Sequence, residues 1–313
     1  MAAGIGLALA GPAASLQSAH ADAPAGVVDY AIPTTGCGIP SFAEPGSTTT
    51  QTIDTGGATR EYVIRIPGGY RPWRHYPLVI TFHGRGDSDT SQSQVTDITD
   101  DNTIAVYPQG LPGKGGKAAW PGAPYSTPEM DNDPLFVSDL ITGLQSTLCV
   151  DPSRVMLAGK SNGGAFAASL ACTMADRIAA VTVVSGALYG QQGCTPDRPV
   201  PVLDFHGTGD TVIPYDGDPA RGLPAIPDWM AQWATQDGCD SAPTVFFQQD
   251  DVTGENWQNC QGGADVVHYR IDGGGHVWPG SSTPSATQTV SATALMISFL
   301  RQHPLPCALW SWS

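Results

Sequence analysis

The sequence predicts an α/β fold with a mostly parallel central sheet and helices on both faces. Short unbroken apolar runs such as Pro77-Leu78-Val79-Ile80-Thr81-Phe82 have the character of strands covered on both faces. Such runs alternate with helix-like stretches, as βαβ units require. No internal repeat and no long linker divides the 313 residues, so one catalytic-sized domain is expected over 59–305.

The elements follow in order. Residues 1–21 read as a secretory signal: Ile5 to Ala14 are small and apolar, and Ala19-His20-Ala21 has the small-x-small form of a cleavage site. The basic n-region is missing, because the first Lys or Arg is Arg60. Residues 22–58, rich in Pro, Gly, Ser and Thr, read as an irregular lead-in. Strands are expected at 60–66, 77–82, 103–107, 154–158, 178–184, 200–205 and 266–271. A helix begins near Pro134, a second runs from Asn162 to about Met174, and a third covers Ala292 to Arg301. The Gly- and Pro-rich stretches 110–134 and 214–228 read as loops over one end of the sheet, and 306–313 as a tail.

Composition excludes several classes. Lys plus Arg total 14 against 29 for Asp plus Glu, a net charge of −15. A nucleic-acid partner needs a basic surface, and so does an anionic membrane. No apolar stretch is long enough to span a bilayer. The seven cysteines form no CxxC pair, so disulfides are a better reading than a metal site. Spacing suggests Cys172 with Cys194 and Cys239 with Cys260, then Cys37 with Cys149, leaving Cys307 odd. With the leader, the cysteines point to a secreted, extracellular protein, read here as a monomer.

Chemistry concentrates at Gly159-Lys160-Ser161-Asn162-Gly163, a G-x-S-x-G motif set between a strand and a helix. In that context the turn lifts Ser161 to the C-terminal edge of the sheet, with the helix N-terminus aimed at the same spot. A serine nucleophile needs a base, and His276, in the loop after the last strand, is the choice. His268 lies inside that strand and is read as packing or facing solvent; His206, at the end of its own strand, is read as structural. The orienting carboxylate is Asp210, in the loop after Phe205, with Asp204 as its rival. The oxyanion donors are read as the backbone N–H groups of Asn162 and of Arg85, the latter in the loop Phe82-His83-Gly84-Arg85-Gly86.

These motifs, with Val212-Ile213-Pro214 and Gly274-Gly275-His276-Val277-Trp278-Pro279-Gly280, resemble the secreted feruloyl esterase and polyhydroxybutyrate depolymerase superfamily of α/β-hydrolases. The order Ser161, Asp210, His276 is that of the fold. Cysteine contexts such as Gly36-Cys37-Gly38 and Leu148-Cys149-Val150-Asp151 are similar to those of the fungal feruloyl esterases. Arg85-Gly86-Asp87 departs from the Cys-x-Gln that often follows His-Gly in depolymerase-like members, so the second oxyanion donor is less fixed than the triad. The resemblance implies a serine esterase without a cofactor or metal, acting on ferulate esters of plant cell wall polysaccharide. Polyester depolymerase and acetylxylan or short-chain esterase are the alternatives, and an inactive binding module a distant one. Trp120, Trp278, Tyr107 and Tyr215, all near the expected sheet edge, are read as rings that could flank a flat acyl group.

Overall fold

The computed structural model describes residues 34–189 and 195–306. The chain runs β1 (Thr48–Thr55), β2 (Ala58–Arg65), β3 (Tyr76–Phe82), α1 (Asp89–Thr96), β4 (Ile104–Pro108), β5 (Leu111–Pro112) and β6 (Ala118–Ala119). It continues through α2 (Asp133–Thr147), β7 (Val150–Lys160), α3 (Asn162–Thr173), β8 (Ala180–Val184) and β9 (Val202–Gly207). Last come α4 (Ile226–Gln236), β10 (Thr244–Gln249), β11 (Val252–Trp257), β12 (Val266–Ile271) and α5 (Ala292–Gln302).

Ten strands form one sheet in the order β1-β2-β4-β3-β7-β8-β9-β12-β11-β10. The six from β4 to β12 in that order are parallel to their neighbours, and antiparallel pairs close both edges. Side-chain alternation splits the interior into two cores. Leu78, Ile80, Val155 and Leu157 pack with α2, α3 and α4 on one face. Val79, Met156 and Ala158 pack with α5 on the other. Both faces are therefore covered, which is why the strands read as continuous apolar runs. Among the described residues, no helix is long and apolar enough to cross a membrane.

Several expectations are corrected. The lead-in assigned to 22–58 contains β1, an edge strand paired along its length with β2. Its run Thr48-Thr49-Thr50-Gln51-Thr52-Ile53-Asp54-Thr55 is polar because alternate residues face solvent, and β-branched Thr suits a strand. Gly56 and Gly57, both with positive φ, supply the two-residue hairpin turn. Helix α1, capped by a reciprocal Ser88–Ser91 capping box, escaped the reading because it carries little apolar pattern. Helix α4 begins inside the stretch read as a loop. Its apolar stripe is Ile226, Trp229, Met230 and Trp233, and Pro227 lies in the first turn, where no N–H is required. The hairpin of β10 and β11 extends the sheet past the last expected strand.

Two disulfides brace this frame, Cys37–Cys149 and Cys239–Cys260. Cys172 is also disulfide-bonded. Cys194, Cys307, the leader 1–21 and the tail beyond 306 lie outside the described residues.

Candidate active site

The parallel strands β3, β7, β9 and β12 end on the same edge of the sheet, and each passes into a loop or turn that carries chemistry. At the end of β7 the chain turns into α3 through Ser161, whose φ of 57° and ψ of −123° no ordinary L-residue favours. Two glycines permit the turn. A Cβ on Gly159 would sit 2.3 Å from the Gly163 carbonyl carbon, and one on Gly163 would sit 2.3 Å from the Phe82 carbonyl oxygen. Such a contact is impossible without moving backbone. The helix therefore packs directly against the end of β3, and Ser161 is held between β3 and β8, where its N–H donates to Val184 O at 2.8 Å.

Asp210 and His276 come together from neighbouring loops. Gly209 N–H donates to Gly274 O, and Gly273 N–H to the side-chain hydroxyl of Thr208 at 2.7 Å, so the two loops are bonded to each other. His276 Nδ1 lies 2.7 Å from Asp210 Oδ2. The other carboxylate oxygen accepts the N–H groups of Val212 at 2.8 Å and Ile213 at 2.9 Å. Burial alone would raise the Asp210 carboxyl. The hydrogen bond and charge of His276, with the two N–H groups, instead hold it below the ordinary carboxylate range. An ionised Asp210 accepts a hydrogen bond from His276 Nδ1–H, which keeps the proton on Nδ1 and leaves the lone pair on Nε2, the form a general base needs. Ser161 Oγ makes no hydrogen bond among the described residues, so its contact with His276 is not closed here. Such contacts tighten when substrate binds.

The loop after β3 lies against the nucleophile: a Cβ on Gly84 would be 3.4 Å from Ser161 Cβ. Neither Arg85 N–H nor Asn162 N–H finds an acceptor among the described residues, and Asn162 opens a helix whose first N–H groups are unpaired by construction. The arrangement can receive an oxyanion. His83 fixes this loop. Its Nε2 accepts Gly110 N–H at 3.0 Å, so Nδ1 carries the proton and donates to Gly84 O at 2.8 Å. Burial lowers the His83 pKa, which keeps the ring neutral in that role.

His206 is wholly buried and donates from Nε2 to Ile213 O at 2.8 Å, 3.6 Å from Asp210 Oδ2. It supports the loop that carries Asp210. The expectation that His268 packs or faces solvent is corrected in part. It is buried and bonded on both sides, Nδ1 to Asp204 Oδ2 at 2.7 Å and Nε2 to Tyr215 OH at 2.9 Å. Asp204, the rival carboxylate, is thus paired with His268 rather than with His276.

The four rings read as flanking the substrate are also corrected. Trp120, Trp278 and Tyr107 are buried to within 1% of full enclosure. Trp120 Nε1 donates to His83 O, and its backbone is bonded in both directions to the Asn162 side chain. Trp278 Nε1 donates to Thr293 Oγ1, and Tyr107 OH lies 3.3 Å from Thr96 Oγ1. Tyr215 is half-buried and committed to His268. A ring with a polar tip is easily placed at a strand end, but here each tip is used within the fold, that of Tyr107 between β4 and α1 and the others to brace a loop. Tyr125 and Tyr189, which the sequence reading did not single out, pack beside the side chain of Arg85. The Arg85 guanidinium lies 4.2 Å over the Tyr125 ring, and Tyr125 meets Tyr189 edge-on. Cys37, His75 and Cys149 present metal-ligand atoms within 4.8 Å of one another, but both sulfurs are spent in the disulfide.

No family model matches the chain. Feruloyl esterase D of Neurospora crassa is 30% identical over 264 residues, covering 79% of this chain and 83% of that protein. The chain belongs to the feruloyl esterase family of α/β-hydrolases. Membership places it among the carboxylic ester hydrolases. Feruloyl esterase B of Piromyces equi is also 30% identical, over 232 residues, but the chain spans only 42% of that longer protein. Among solved structures, an acetyl xylan esterase from Aspergillus awamori has a TM-score of 0.53 at 18% identity, covering 81% of this chain and 99% of that one. A ferulic acid esterase from Anaeromyces mucronatus has a TM-score of 0.52 at 14% identity, covering 87% and 96%. At these identities the likeness is one of fold.

Proposed function

We propose that this feruloyl esterase family member is a secreted serine esterase that releases ferulate and related hydroxycinnamates from plant cell wall polysaccharide. The observation that carries the mechanism is the 2.7 Å contact of Asp210 with His276 at the strand edge where Ser161 is presented. Family membership carries the substrate class. His276 Nε2 takes the Ser161 proton as Oγ attacks the ester carbonyl carbon. The carbonyl π electrons move to oxygen, and the oxyanion is received by the N–H groups of Asn162 and Arg85. Collapse breaks the C–O bond to the sugar, and His276 returns the proton to the leaving alkoxide. Water, deprotonated by His276, then attacks the acyl-enzyme; the acid departs and Ser161 regains its proton. Asp210 holds the imidazole in the required tautomer and stabilises its cation.

The two oxyanion donors are held by different means. Asn162 is fixed by its side-chain bonds to Trp120, and Arg85 by the turn that His83 pins. Removing one such donor costs roughly 10²–10³ in rate. The disulfides and the apolar N-terminal leader support secretion.

The test is a substrate panel of methyl ferulate, methyl sinapate, acetylated xylan and polyhydroxybutyrate film, with Ser161→Ala as the control. Wild type should favour the hydroxycinnamates, and the variant should lose about 10⁴–10⁶ in kcat while remaining folded. Preference for acetylated xylan or for the film would replace the substrate class and leave the triad standing. Near-normal turnover by folded Ser161→Ala would remove Ser161 as nucleophile.

A further inference from the structure

We infer that the cleft between α1 and α5 is a second, non-catalytic binding site, and that it takes a neutral oligosaccharide segment. The inference goes beyond the ester hydrolase reading and stands whichever acyl group the enzyme releases. Helix α1 has only eight residues and stops at Thr96, where Asp97 turns the chain into the left-handed region at φ 42°. The end of α1, the chain from Asp97 to Asp100 and one side of α5 border a cavity of 760 Å³. Ligand sites span roughly 300–1,000 Å³. Two polar ties join its walls. Thr293 Oγ1, in the first turn of α5, donates to Thr96 O at 2.6 Å, and Arg301, in the last turn, donates to Asp100 Oδ2 at 2.7 Å. Eight residues separate the two, about 12 Å along the helix.

Between these ties α5 presents Ala294, Ile297 and Ser298, which with Arg301 fall at i, i+3, i+4 and i+7, one face of the helix. Ala294 and Ser298 are short and exposed, which keeps that face open. Ile297, with Val95 and Ile98 from the other wall, supplies an aliphatic part of the lining. Most of the remainder is polar and uncharged. Gln94, Thr99 and Ser282 make no side-chain hydrogen bond among the described residues, so an amide and two hydroxyls are free both to donate and to accept. Of the charged groups, Arg301 is matched by Asp100, while Asp97 has no cation paired with it among the described residues. The lining is therefore net negative and turns away a carboxylate, the released acid included. It holds no aromatic ring on which an organic cation could rest. Donors and acceptors in equal supply around aliphatic surface suit a saccharide, whose hydroxyls edge a ring with apolar C–H faces. None of Ser161, Asp210 or His276 lines this cavity, yet it adjoins the loop of the base. Gly280 and Ser281, four and five residues past His276, form part of its wall, and Thr293 Oγ1 also accepts the Trp278 Nε1–H at 3.0 Å. A polysaccharide held here stays beside the catalytic loop and leaves the ester site free.

The experiment is affinity electrophoresis in native gels that hold ester-free arabinoxylan, with polygalacturonate as the anionic comparison. Wild type should be retarded by the neutral polymer and not by the anionic one. Enzyme whose Ser161 is blocked by a phosphonate should be retarded equally, because the ester site takes no part. Ala294→Leu with Ser298→Leu fills the α5 face at two exposed positions and should weaken the apparent affinity at least about 10-fold. Melting temperatures are measured alongside; if the double variant does not fold, Ser298→Leu alone decides. Absence of retardation in the wild type, undiminished retardation of a folded variant, or loss of retardation on phosphonate blockade would each overturn the site. Equal retardation by polygalacturonate would overturn the neutral class of ligand. Methyl ferulate turnover, measured on the same samples, tests the acyl specificity separately: its absence counts against the feruloyl reading and leaves the saccharide site to the gels.

Discussion

Two buried carboxylates each hold a histidine at 2.7 Å, Asp210 with His276 and Asp204 with His268, and a matched pair of Asn substitutions separates their roles. In Asp210→Asn the amide oxygen can keep the Val212 and Ile213 N–H bonds, because both fall on one oxygen, Oδ1. The NH₂ group then replaces Oδ2 and points a donor at His276 Nδ1. That nitrogen must give up its proton to accept, so the proton moves to Nε2, where it blocks uptake of the Ser161 proton. The geometry survives and the tautomer is wrong, a change worth about 10⁴ in kcat, or about 5.5 kcal/mol of barrier. In Asp204→Asn no such inversion is forced: nothing bonds the other oxygen, Oδ1, so the amide oxygen can keep accepting from His268 Nδ1–H, and Tyr215 OH can keep donating to Nε2. No reacting atom is touched, so the effect is one on stability, about 1–3 kcal/mol, with activity changed less than about 10-fold. The assay is kcat and KM on methyl ferulate and p-nitrophenyl acetate from pH 5 to 9, with urea unfolding of each variant. A folded Asp204→Asn enzyme that loses more kcat than Asp210→Asn would refute the assignment of the acid.

Three further outcomes are expected. Gly163→Ala should abolish most activity and cost about 1–3 kcal/mol by overpacking, because its methyl would meet the Phe82 and His83 carbonyl oxygens at 2.3 and 2.5 Å; wild-type kinetics would mean the helix is not wedged against β3. Asp237 is wholly enclosed beside Val200 N–H, with one carboxyl oxygen unpartnered, and burial pushes its pKa up to about 7. The native state therefore binds one proton more than the unfolded chain between about pH 4 and 7. The favourable contribution is whole below about pH 4 and is lost as pH rises through about 7, roughly 4 kcal/mol in all. Asp237→Asn should remove that slope, read as the difference between variant and wild type in urea at pH 5 and pH 8. Opening Cys239–Cys260, a loop of 21 residues, should cost about 3 kcal/mol in the chain-entropy model, and opening Cys37–Cys149, which spans 112, somewhat more; equal melting temperatures with and without reductant would contradict both.

Legibility in the sequence followed burial. The six parallel strands carry continuous apolar runs because both faces are covered, and five of the corresponding runs could be placed to within two or three residues. The edge elements could not. β1 alternates polar Thr with polar Thr, and β10 is exposed along nearly all its length, so neither has an apolar period to read. Within the site, residues whose position is fixed by backbone were legible. Ser161 is announced by Gly159 and Gly163, and the Asp210–His276 contact by the strand ends on which the two loops sit. The Asp204–His268–Tyr215 chain was not legible, because it depends on Asp204 and His268 being opposite one another on paired strands, a register that spacing along the chain does not contain.

The fate of the aromatic rings has the same origin and bears on where substrate can go. A loop over the C-terminal edge of a sheet has few backbone partners, so something must hold it still. Here Trp120 holds the loop after β6 to the His83 carbonyl and to Asn162, Trp278 ties the His276 loop to α5, and Tyr215 ties the Asp210 loop to β12. Trp120 and Trp278 are enclosed because they stabilise the catalytic frame, and an enclosed ring cannot also form a wall of an open pocket; Tyr215 is half-buried, with its hydroxyl bonded to His268. A cavity remains along Ala165 and Ser169 of α3, bordered also by Pro121, Leu188 and Pro134 of α2. It stays open because small residues there leave a slot where larger ones would close it. In this fold the bulky side chains near the nucleophile hold the loops around it, and the small side chains Ala165 and Ser169 on the helix that follows it border open space.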